Sequence, residues 1–179
     1  MADQLSAQDW LDHGLKALAT RGFSALKAEP LAREMGVSRG SFYWHFADIG
    51  AFHAAILKQW REVAAEAIIA NVEAAAGDDE PLAVLLRRVF SERLALERAV
   101  RSWAATSDGE ARYAVMAIDR RRLDYVESLI RARGVGPDIA QTRAQILYWA
   151  FLGYALSDKP LPRGQSEVMI EEMVRLATL

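Results

Sequence analysis

The 179-residue sequence contains no cysteine. This absence excludes a disulfide framework, a thiolate zinc site and a cysteine nucleophile, and it is consistent with a reducing compartment. The sequence also has no apolar run of bilayer length, and Asp3, Asp9 and Asp12 lie in its first twelve residues. We therefore expect neither a membrane-spanning helix nor a signal peptide, and we predict a cytoplasmic protein with no membrane partner.

A strong excess of charge of either sign is missing as well. Twenty-two Lys and Arg residues stand against 24 Asp and Glu residues, and apolar residues make up 52% of the chain. Such a chain is too apolar and too nearly neutral to be disordered, and it is long enough to bury a core. Any binding of nucleic acid must then depend on a local site and not on bulk positive charge.

The alternating pattern of a half-buried β-strand is absent, whereas apolar residues recur at helical spacing along the chain. This pattern predicts an all-α fold. Ser6 with Asp9, and later Asp48, are predicted helix N-caps. Turn residues predict breaks at 76–81, 107–109, 134–137 and 159–162. Helices are predicted over about 6–20, 29–35, 39–45, 48–75, 81–90, 100–105, 110–132, 138–157 and 165–176.

Apolar stripes on these helices predict which side chains are buried. The predicted stripes are Trp10, Leu11, Leu15 and Leu18 on the first helix; Phe52, Ile56, Val63 and Val72 on the fourth; Leu82, Leu85, Leu86, Val89 and Phe90 after Pro81; and Ala140, Ala144, Leu147, Phe151 and Ala155 near the C-terminus.

Two short helices joined by a glycine-centred turn, Leu31 to Gly40 and onward, match the pattern of a helix-turn-helix. In that geometry the second helix enters the major groove of DNA. Leu31, Ala32, Val37 and Phe42 would pack the two helices together, and Arg39, Ser41, Tyr43, Trp44 and His45 would face outward. Arginine can donate to guanine edges or phosphate, and tyrosine and histidine can donate to phosphate. The alternative is a plain αα corner in which Tyr43, Trp44 and Phe46 form a hydrophobic cluster.

The string Gly36-Val37-Ser38-Arg39-Gly40-Ser41-Phe42-Tyr43-Trp44-His45-Phe46, with Gly22-Phe23 and Leu31-Ala32 before it, resembles the N-terminal signature of the tetracycline-repressor (TetR) family of bacterial transcriptional regulators. The resemblance implies a helix-turn-helix DNA-binding domain at residues 1–47, joined by a long helix to a helical effector-binding and dimerisation domain at 48–179. It implies a homodimer on a palindromic double-stranded DNA operator and, by the family's usual mode, a repressor that a small molecule releases. The positions that touch DNA in the family correspond here to Ser38, Arg39, Gly40, Ser41, Tyr43, Trp44 and His45.

Two residues depart from the family pattern. Lys27 replaces the usual threonine or serine cap of the second helix, and Ile49 replaces the usual lysine at the start of the fourth. Lys27 can still contact phosphate, so it joins the predicted DNA-binding residues, whereas Ile49 cannot. Residues 1–58 carry six Lys and Arg and six Asp and Glu. This balance predicts a shallow salt dependence of DNA binding.

No enzyme motif is evident in the sequence. His13, His45 and His53 lack metal-ligand spacing, the Glu171-Glu172 pair has no partner motif, and no glycine-rich phosphate loop follows a strand. We therefore expect no enzyme activity, no metal and no cofactor. Aromatic residues at interior-looking positions, among them Trp149 and Phe151, are either plain core or the lining of a pocket for an apolar or aromatic effector. The predicted ligand-binding residues are Trp60, Phe90, Trp103, Tyr113, Met116 and Tyr148.

Two further features concern surfaces. Arg120-Arg121-Arg122, beside Asp119, Asp124 and Glu127, is predicted to form a solvated face with i, i+4 pairs. A glycine inside a helix costs about 1 kcal/mol relative to alanine, so Gly153 indicates close approach of another helix. By the resemblance, Ala150 and Gly153 would lie in a four-helix dimer interface. Two other functions stay open: an all-α small-molecule-binding or interaction protein that no longer binds DNA, and an all-α enzyme.

Overall fold

The computed structural model describes residues 5–75, 80–91, 94–106, 109–157 and 166–179. The fold is all-α, as predicted, and within these ranges every regular element is helical. The predicted breaks at 76–79, 107–108 and 159–162 lie outside the described residues. The α-helices are α1 (Ala7–Arg21), α2 (Ala28–Glu34), α3 (Arg39–Tyr43), α4 (Ile49–Arg61), α5 (Ala67–Ala75), α6 (Pro81–Ser91), α7 (Ala95–Ala105), α8 (Glu110–Arg131), α9 (Pro137–Leu156) and α10 (Ser166–Thr178).

Local capping signals fix the first and fourth helices. Ser6 and Asp9 form the predicted capping box: the Ser6 hydroxyl accepts from the Asp9 amide at 3.2 Å, and the Asp9 carboxylate accepts from the Ser6 amide at 2.7 Å. The Asp48 carboxylate accepts from the Ala51 amide at 2.7 Å. Both caps satisfy amides that have no partner inside the helix, and both predictions are confirmed.

Two helix boundaries differ from the prediction. Helix α3 ends at Tyr43, two residues before the predicted end at His45. Helix α7 begins at Ala95 and not near Val100. No glycine or proline interrupts residues 95–100, and alanine, leucine, glutamate and arginine are good helix formers, so the helix extends toward its N-terminus.

The chain forms two compact units. The first comprises the described residues of Met1–Glu62 and Ala95–Val115, and the second those of Val63–Leu94 and Met116–Leu179. The predicted functional boundary between residues 47 and 48 is a different division and stays a prediction.

In the first unit α1 packs against α4 and α7, and α2 packs against α3. The buried residues of α1 are Trp10, Gly14, Ala17 and Leu18. Leu11 and Leu15, predicted as core, are only half-buried. The reason is that α4 approaches α1 at Gly14, so that position and not its leucine neighbours lies at the centre of the buried face.

In the second unit α6 packs against α5 and α10, and α9 packs against α6 and α10. The predicted stripe on α9 is confirmed, since Ala140, Ala144, Leu147, Phe151 and Ala155 are all buried. The stripe on α6 is buried too, except for the half-buried Val89. None of the described helices is long and apolar enough to span a bilayer.

The predicted helix 48–75 is not α-helical throughout, because a single π-helical turn, Glu62–Glu66, joins α4 to α5. A π-turn holds one residue more than an α-turn, so it shifts the apolar stripe by one position. Ala65 within the turn, and Ile68, Ile69 and Val72 beyond it, are therefore buried. Val63, predicted as core, is 42% exposed.

Candidate DNA-binding site

The turn between α2 and α3 is a Schellman motif. The Gly36 amide donates to the Arg33 carbonyl at 3.3 Å, and the Val37 amide donates to the Ala32 carbonyl at 3.0 Å. Gly36 has φ +70°, a left-handed conformation that a glycine adopts without a steric cost. Ser38 then takes an extended N-cap conformation, although its side chain makes no capping hydrogen bond. This turn sets the direction in which α3 leaves α2.

Phe42 attaches the short helix α3 to the rest of the first unit. Its side chain is fully buried, and its ring lies 5.3 Å from that of Trp10 and 5.2 Å from those of Phe46 and Phe52. Aromatic pairs at such distances add to the stabilisation that burial itself provides. A five-residue helix is too short to be stable alone, so this cluster maintains it.

The opposite face of α3 is exposed. Tyr43 is 45% exposed and Trp44 83%, and Arg39 and Gly40 are exposed as well. Ser38 is exposed, whereas Ser41 and His45 are half-buried. The alternative in which Tyr43 and Trp44 form a buried cluster is therefore wrong for this pair, although Phe46 is buried.

Arg39 and Tyr43 interact one helical turn apart. Arg39 Nη2 donates to the Tyr43 hydroxyl at 3.0 Å, and the guanidinium lies 5.5 Å from the centre of the tyrosine ring. This hydrogen bond raises the pKa of the Arg39 guanidinium above its ordinary value, so the side chain stays charged. The cation and the hydroxyl donor are thus held together on the exposed face.

Lys27 is the N-cap residue of α2 and is exposed, and its side chain makes no capping hydrogen bond. The amides of the first turn of α2 are therefore without the side-chain cap that Ser6 and Asp48 give to α1 and α4. Ile49, at the start of α4, is 37% exposed. Both departures from the family pattern thus lie at solvent-facing helix starts.

An ion-pair cluster that sequence reasoning missed connects α2 to α1. Arg21 donates through both terminal nitrogens to Glu34, with Nη2 2.8 Å from Oε2, and His13 Nε2 lies 2.9 Å from the same oxygen. The hydrogen bond from Arg21, and then that from His13, lowers the pKa of Glu34 to about 2. Glu34 is 13 positions from Arg21 and 21 from His13, so no local spacing rule could reveal this cluster.

The predicted ligand-binding residues divide between the two units. Trp60, Trp103 and Tyr113 belong to the first unit, and Phe90, Met116 and Tyr148 to the second. Trp60, Phe90, Trp103 and Tyr148 are buried. The expectation of interior positions is wrong for Tyr113 and Met116, which are 70% and 59% exposed on α8, and also for Trp149, which is 63% exposed. These three side chains lie on the exposed sides of α8 and α9, and the buried residues of the two helices lie at other positions around the helix axis.

Several of the buried aromatic residues have specific partners. Trp103 stacks on Phe23, with ring centres 4.4 Å apart. Tyr148 donates to Asp119 Oδ1 at 2.5 Å. Phe90 lies 5.0 Å from the ring of Tyr154, whose hydroxyl donates to the Phe90 carbonyl at 2.9 Å. The Trp60 indole N–H has no hydrogen-bond partner among the described residues.

The arginine run on α8 is not simply a solvated face. Arg122 Nη2 donates to the Ala64 carbonyl at 2.9 Å, and its guanidinium lies 5.2 Å from the ring of Phe151. Arg121 Nη2 pairs with Glu66 Oε2 at 3.3 Å. These two half-buried residues thus have partners beyond α8, because the neighbouring π-turn and α9 offer them; Arg120 is exposed, as predicted.

The two predicted interface residues lie on α9. Gly153 is exposed, and Ala150 is half-buried. A Cβ at Gly153 would meet no described atom within 4 Å, so nothing within the chain requires a glycine there. Gly153 lies in an exposed stripe of α9, with intervals of three and four residues: Ile139, Thr142, Ile146, Trp149, Gly153 and Leu156.

In the described ranges, no three His, Asp or Glu residues lie close enough together to hold a metal ion. Sequence reasoning also missed Glu97, a carboxylate only 4% exposed, which accepts from Arg101 Nε at 2.8 Å. The i, i+4 spacing of this pair on α7 was the available signal.

A family model described as "Bacterial regulatory proteins, tetR family" matches residues 11–56. Comparison with the curated proteins gives no match. Among solved structures, the chain is similar to Escherichia coli NemR in its reduced form, with 18% sequence identity, a TM-score of 0.72 and coverage of 96% of this chain and 94% of that chain.

Two other solved structures are similar as well. One is EbrR, described as a multidrug binding protein, in complex with malachite green: 21% identity, TM-score 0.66, coverage 95% and 96%. The other is BioQ with its natural double-stranded DNA operator: 21% identity, TM-score 0.52, coverage 98% and 99%. At these identities the similarity shows the fold. Residues 11–56 thus match the tetR-family model over the helix-turn-helix, and the described residues share the all-α fold of these solved structures.

Proposed function

We propose that the chain is a ligand-responsive transcriptional regulator, a repressor that leaves a palindromic operator when a small apolar or aromatic molecule binds. One observation carries the DNA-binding part: Arg39, Tyr43 and Trp44 share an exposed face on a helix that the buried Phe42 holds in place. The solved BioQ complex with its operator supports this use of the fold. We assign DNA reading to residues 1–47 and effector binding with dimerisation to 48–179.

On this face we propose direct contacts from Arg39 to a base edge or phosphate, and from Tyr43 and His45 to phosphate oxygens. Lys27 adds a second cation at the start of α2. Ser38, Gly40 and Ser41 allow close approach to the groove, and Trp44 supplies apolar surface for a sugar or a thymine methyl.

The test is binding to a fluorescein-labelled duplex of the DNA directly upstream of the protein's own gene, followed by fluorescence anisotropy. Arg39→Ala should weaken binding about 5- to 150-fold, since a specific arginine contact contributes about 1–3 kcal/mol. Tyr43→Phe should weaken it less, because only the hydroxyl is lost. Arg133→Ala, an exposed arginine of the second unit, is the control and should bind as the unchanged protein does. Equal binding by all three variants would contradict the assignment.

A homodimer through α9 and α10 is the second part of the proposal. The exposed stripe on α9 has the spacing of a helix–helix seam, and α10 exposes Val168 and Leu176, with the exposed Leu179 directly after it. Such apolar faces on neighbouring helices are typical of interfaces, and Gly153 would permit close approach of a symmetry mate. Gly153→Arg should give monomers in sedimentation velocity. Gln141→Arg, an exposed position on α9 beside the stripe, should leave the dimer intact.

For the effector we propose contacts from the buried aromatic residues of each unit taken by itself, Trp60 and Trp103 in the first and Phe90 and Tyr148 in the second; the exposed Tyr113 and Met116 stay predicted ligand-binding residues. The solved complex of EbrR with malachite green supports an aromatic ligand. Malachite green should quench the tryptophan emission of the protein and release the upstream duplex at the same concentrations. Trp60→Phe should reduce the quenching, whereas Trp44→Phe, at an exposed position at the C-terminal end of α3, should not. Release of DNA without any change in tryptophan emission, across a panel of aromatic dyes, would refute this assignment.

Ile49 and the balanced charge of residues 1–58 favour one other function, an all-α small-molecule-binding protein that no longer reads DNA. Ile49 replaces a positively charged lysine, and the balanced charge leaves no excess of positive charge in the part of the chain proposed to face DNA. If the unchanged protein gives no anisotropy change with its upstream duplex but binds the dye, this second function replaces the first.

A further inference from the structure

A groove on the surface of the first compact unit lies between the C-terminal end of α1 and helix α7. Its volume is about 340 Å³, at the lower end of the range for small-molecule sites. All the residues that line it belong to that unit, and of the residues proposed above for the effector only Trp103 is among them. The groove is therefore a candidate site for a small ligand, in addition to the effector contacts.

The groove follows from the residues that the two helices place beside each other. On α7 the lining positions recur three and four residues apart, as one face of a helix does, and they include Ala95, Ala99 and Ser102. On the side of α1 the lining includes Ala19 and Gly22. Because the side chains on both sides are short, the space between the helices is not filled.

Aromatic surface is available in this groove. The ring of Phe23 stacks on that of Trp103, with ring centres 4.4 Å apart and planes inclined by 17°. Trp103 is buried, but Phe23 is still 38% exposed, although Trp103 covers one face of its ring. Exposed aromatic surface in a concave site can bind another aromatic ring by offset stacking or by an edge contact.

Arg98 is the one charged residue among the described residues that line the groove. It is half-buried, and Ser102 lies one helical turn after it on α7. A guanidinium has five N–H donors, so Arg98 can bind a ligand carboxylate as well as a partner within the chain. The planar fork of these donors matches the two oxygens of a carboxylate, and the Ser102 hydroxyl adds a further donor.

We propose that this groove binds a small planar aromatic carboxylate, whose ring packs on Phe23 and whose carboxylate accepts hydrogen bonds from Arg98. A neutral aromatic molecule of the same size lacks the charge that matches Arg98 and binds more weakly. The inference does not rest on the proposed function, because none of its readouts uses DNA.

The probe is 2-naphthoate, and 2-naphthamide is its neutral counterpart of the same size. Each is titrated into the full chain labelled with ¹³C in its alanine methyl groups, because the ring current of a bound naphthalene shifts nearby methyl signals. The signals of Ala19 and Ala99 should shift, with a Kd for 2-naphthoate of about 1 mM or lower, whereas that of the exposed Ala75 at the end of α5 should not. No shift at Ala19 and Ala99 with about 10 mM ligand would refute the site.

Arg98→Gln tests the recognition of charge. The unchanged protein should bind 2-naphthoate about tenfold more tightly than 2-naphthamide, the effect of one hydrogen bond to a charged group, and Arg98→Gln should bind both equally. Arg33→Gln, at an exposed arginine of the same unit, is the matched control and should keep the preference. Equal binding of the two ligands by the unchanged protein, or a preference that survives Arg98→Gln, would overturn the proposal.

Ser102→Leu tests the groove without removing a charge. Ser102 is exposed and lines the groove, so leucine fills part of the space and should abolish most of the binding of both ligands without lowering the melting temperature. Ala105→Leu, at an exposed position of α7 outside the lining, should bind as the unchanged protein does. Undiminished binding by Ser102→Leu would also refute the groove. This variant and the comparison of the two ligands on the unchanged protein decide the matter even if Arg98→Gln fails to fold.

Discussion

Replacing Gly14 by alanine tests the packing of α1 on α4. Gly14 is buried in the middle of α1, and a Cβ placed there would lie 2.7 Å from Phe52 Cζ and 2.7 Å from Ile56 Cδ1. Real Cβ atoms do not approach other atoms so closely, so at least one of these side chains must move. Ile56 can change its rotamer, but the Phe52 ring is held by the rings of Phe42 and Phe46, 5.2 and 5.0 Å away.

Two effects of opposite sign decide the outcome of Gly14→Ala. Alanine in place of a helical glycine stabilises by about 1 kcal/mol. Overpacking a well-packed core destabilises by about 1–3 kcal/mol, and the fixed Phe52 ring favours the upper half of this range. We expect a net loss of about 1 kcal/mol, equivalent to a fall of about 2–4 °C in melting temperature for a chain of this size.

Thermal denaturation followed by circular dichroism measures this effect. Gly40→Ala is the matched control, because Gly40 is exposed in α3 and its nearest neighbouring atom would be Ser38 Oγ at 3.5 Å, an ordinary contact. That variant should melt at or slightly above the temperature of the unchanged protein. If Gly14→Ala also melts at or above that temperature, the close approach of α4 to Gly14 is not present and the reasoning fails.

Three further predictions concern residues 1–58. Lys27→Thr should stabilise the fold by about 1 kcal/mol in denaturant titrations, because it supplies the missing cap of α2, and a lower stability would contradict this. The slope of log affinity against log salt should be about −4 or shallower, because Lys27 and Arg39 from both protomers of the proposed dimer would neutralise four phosphates at about 0.9 each. Lys27→Thr should make this slope shallower still, and a slope near −10 would refute this count of phosphate contacts. Glu34→Gln should lower the melting temperature at pH 7. Because the folded pKa of Glu34 is lowered to about 2, its contribution is complete above the ordinary pKa near 4.5 and is lost as the pH falls toward 2, so the two proteins should converge in acid.

Local signals were sufficient for much of the fold. The capping box at Ser6 and Asp9 is a relation between residues three apart, and the inner face of α9 repeats every three or four residues, so both can be identified without knowing the tertiary structure. The exposure of Arg39, Tyr43 and Trp44 can be predicted from the same kind of local pattern, because Phe42 is the buried residue of α3.

Contacts distant in the chain account for the failures. The π-turn runs against the preference of its own residues, and the exposure of Val63 accompanies this turn, whose Ala64 carbonyl accepts from Arg122, 58 positions away. The exposure of Tyr113 and Met116 has a related cause. An aromatic or methionine side chain indicates an apolar contact but not whether that contact lies within the chain or beyond it.

The balanced charge of residues 1–58 increases the share of the proposed DNA affinity that depends on Arg39. With six positive and six negative residues in positions 1–58, we expect weak nonspecific attraction to phosphate, so under the proposed function the affinity comes from specific contacts at the two half-sites of the proposed dimer. Arg39 is already ordered by Tyr43 before any DNA arrives, which lowers the entropy lost when it binds. It follows that Tyr43→Phe should act through two routes: it removes a phosphate donor and it releases the arginine. In the Arg39→Ala background only the first route remains, so the two substitutions should be less than additive, by a margin that a double-mutant cycle on the labelled duplex can measure. Strict additivity would show that the hydrogen bond between them has no role in reading DNA.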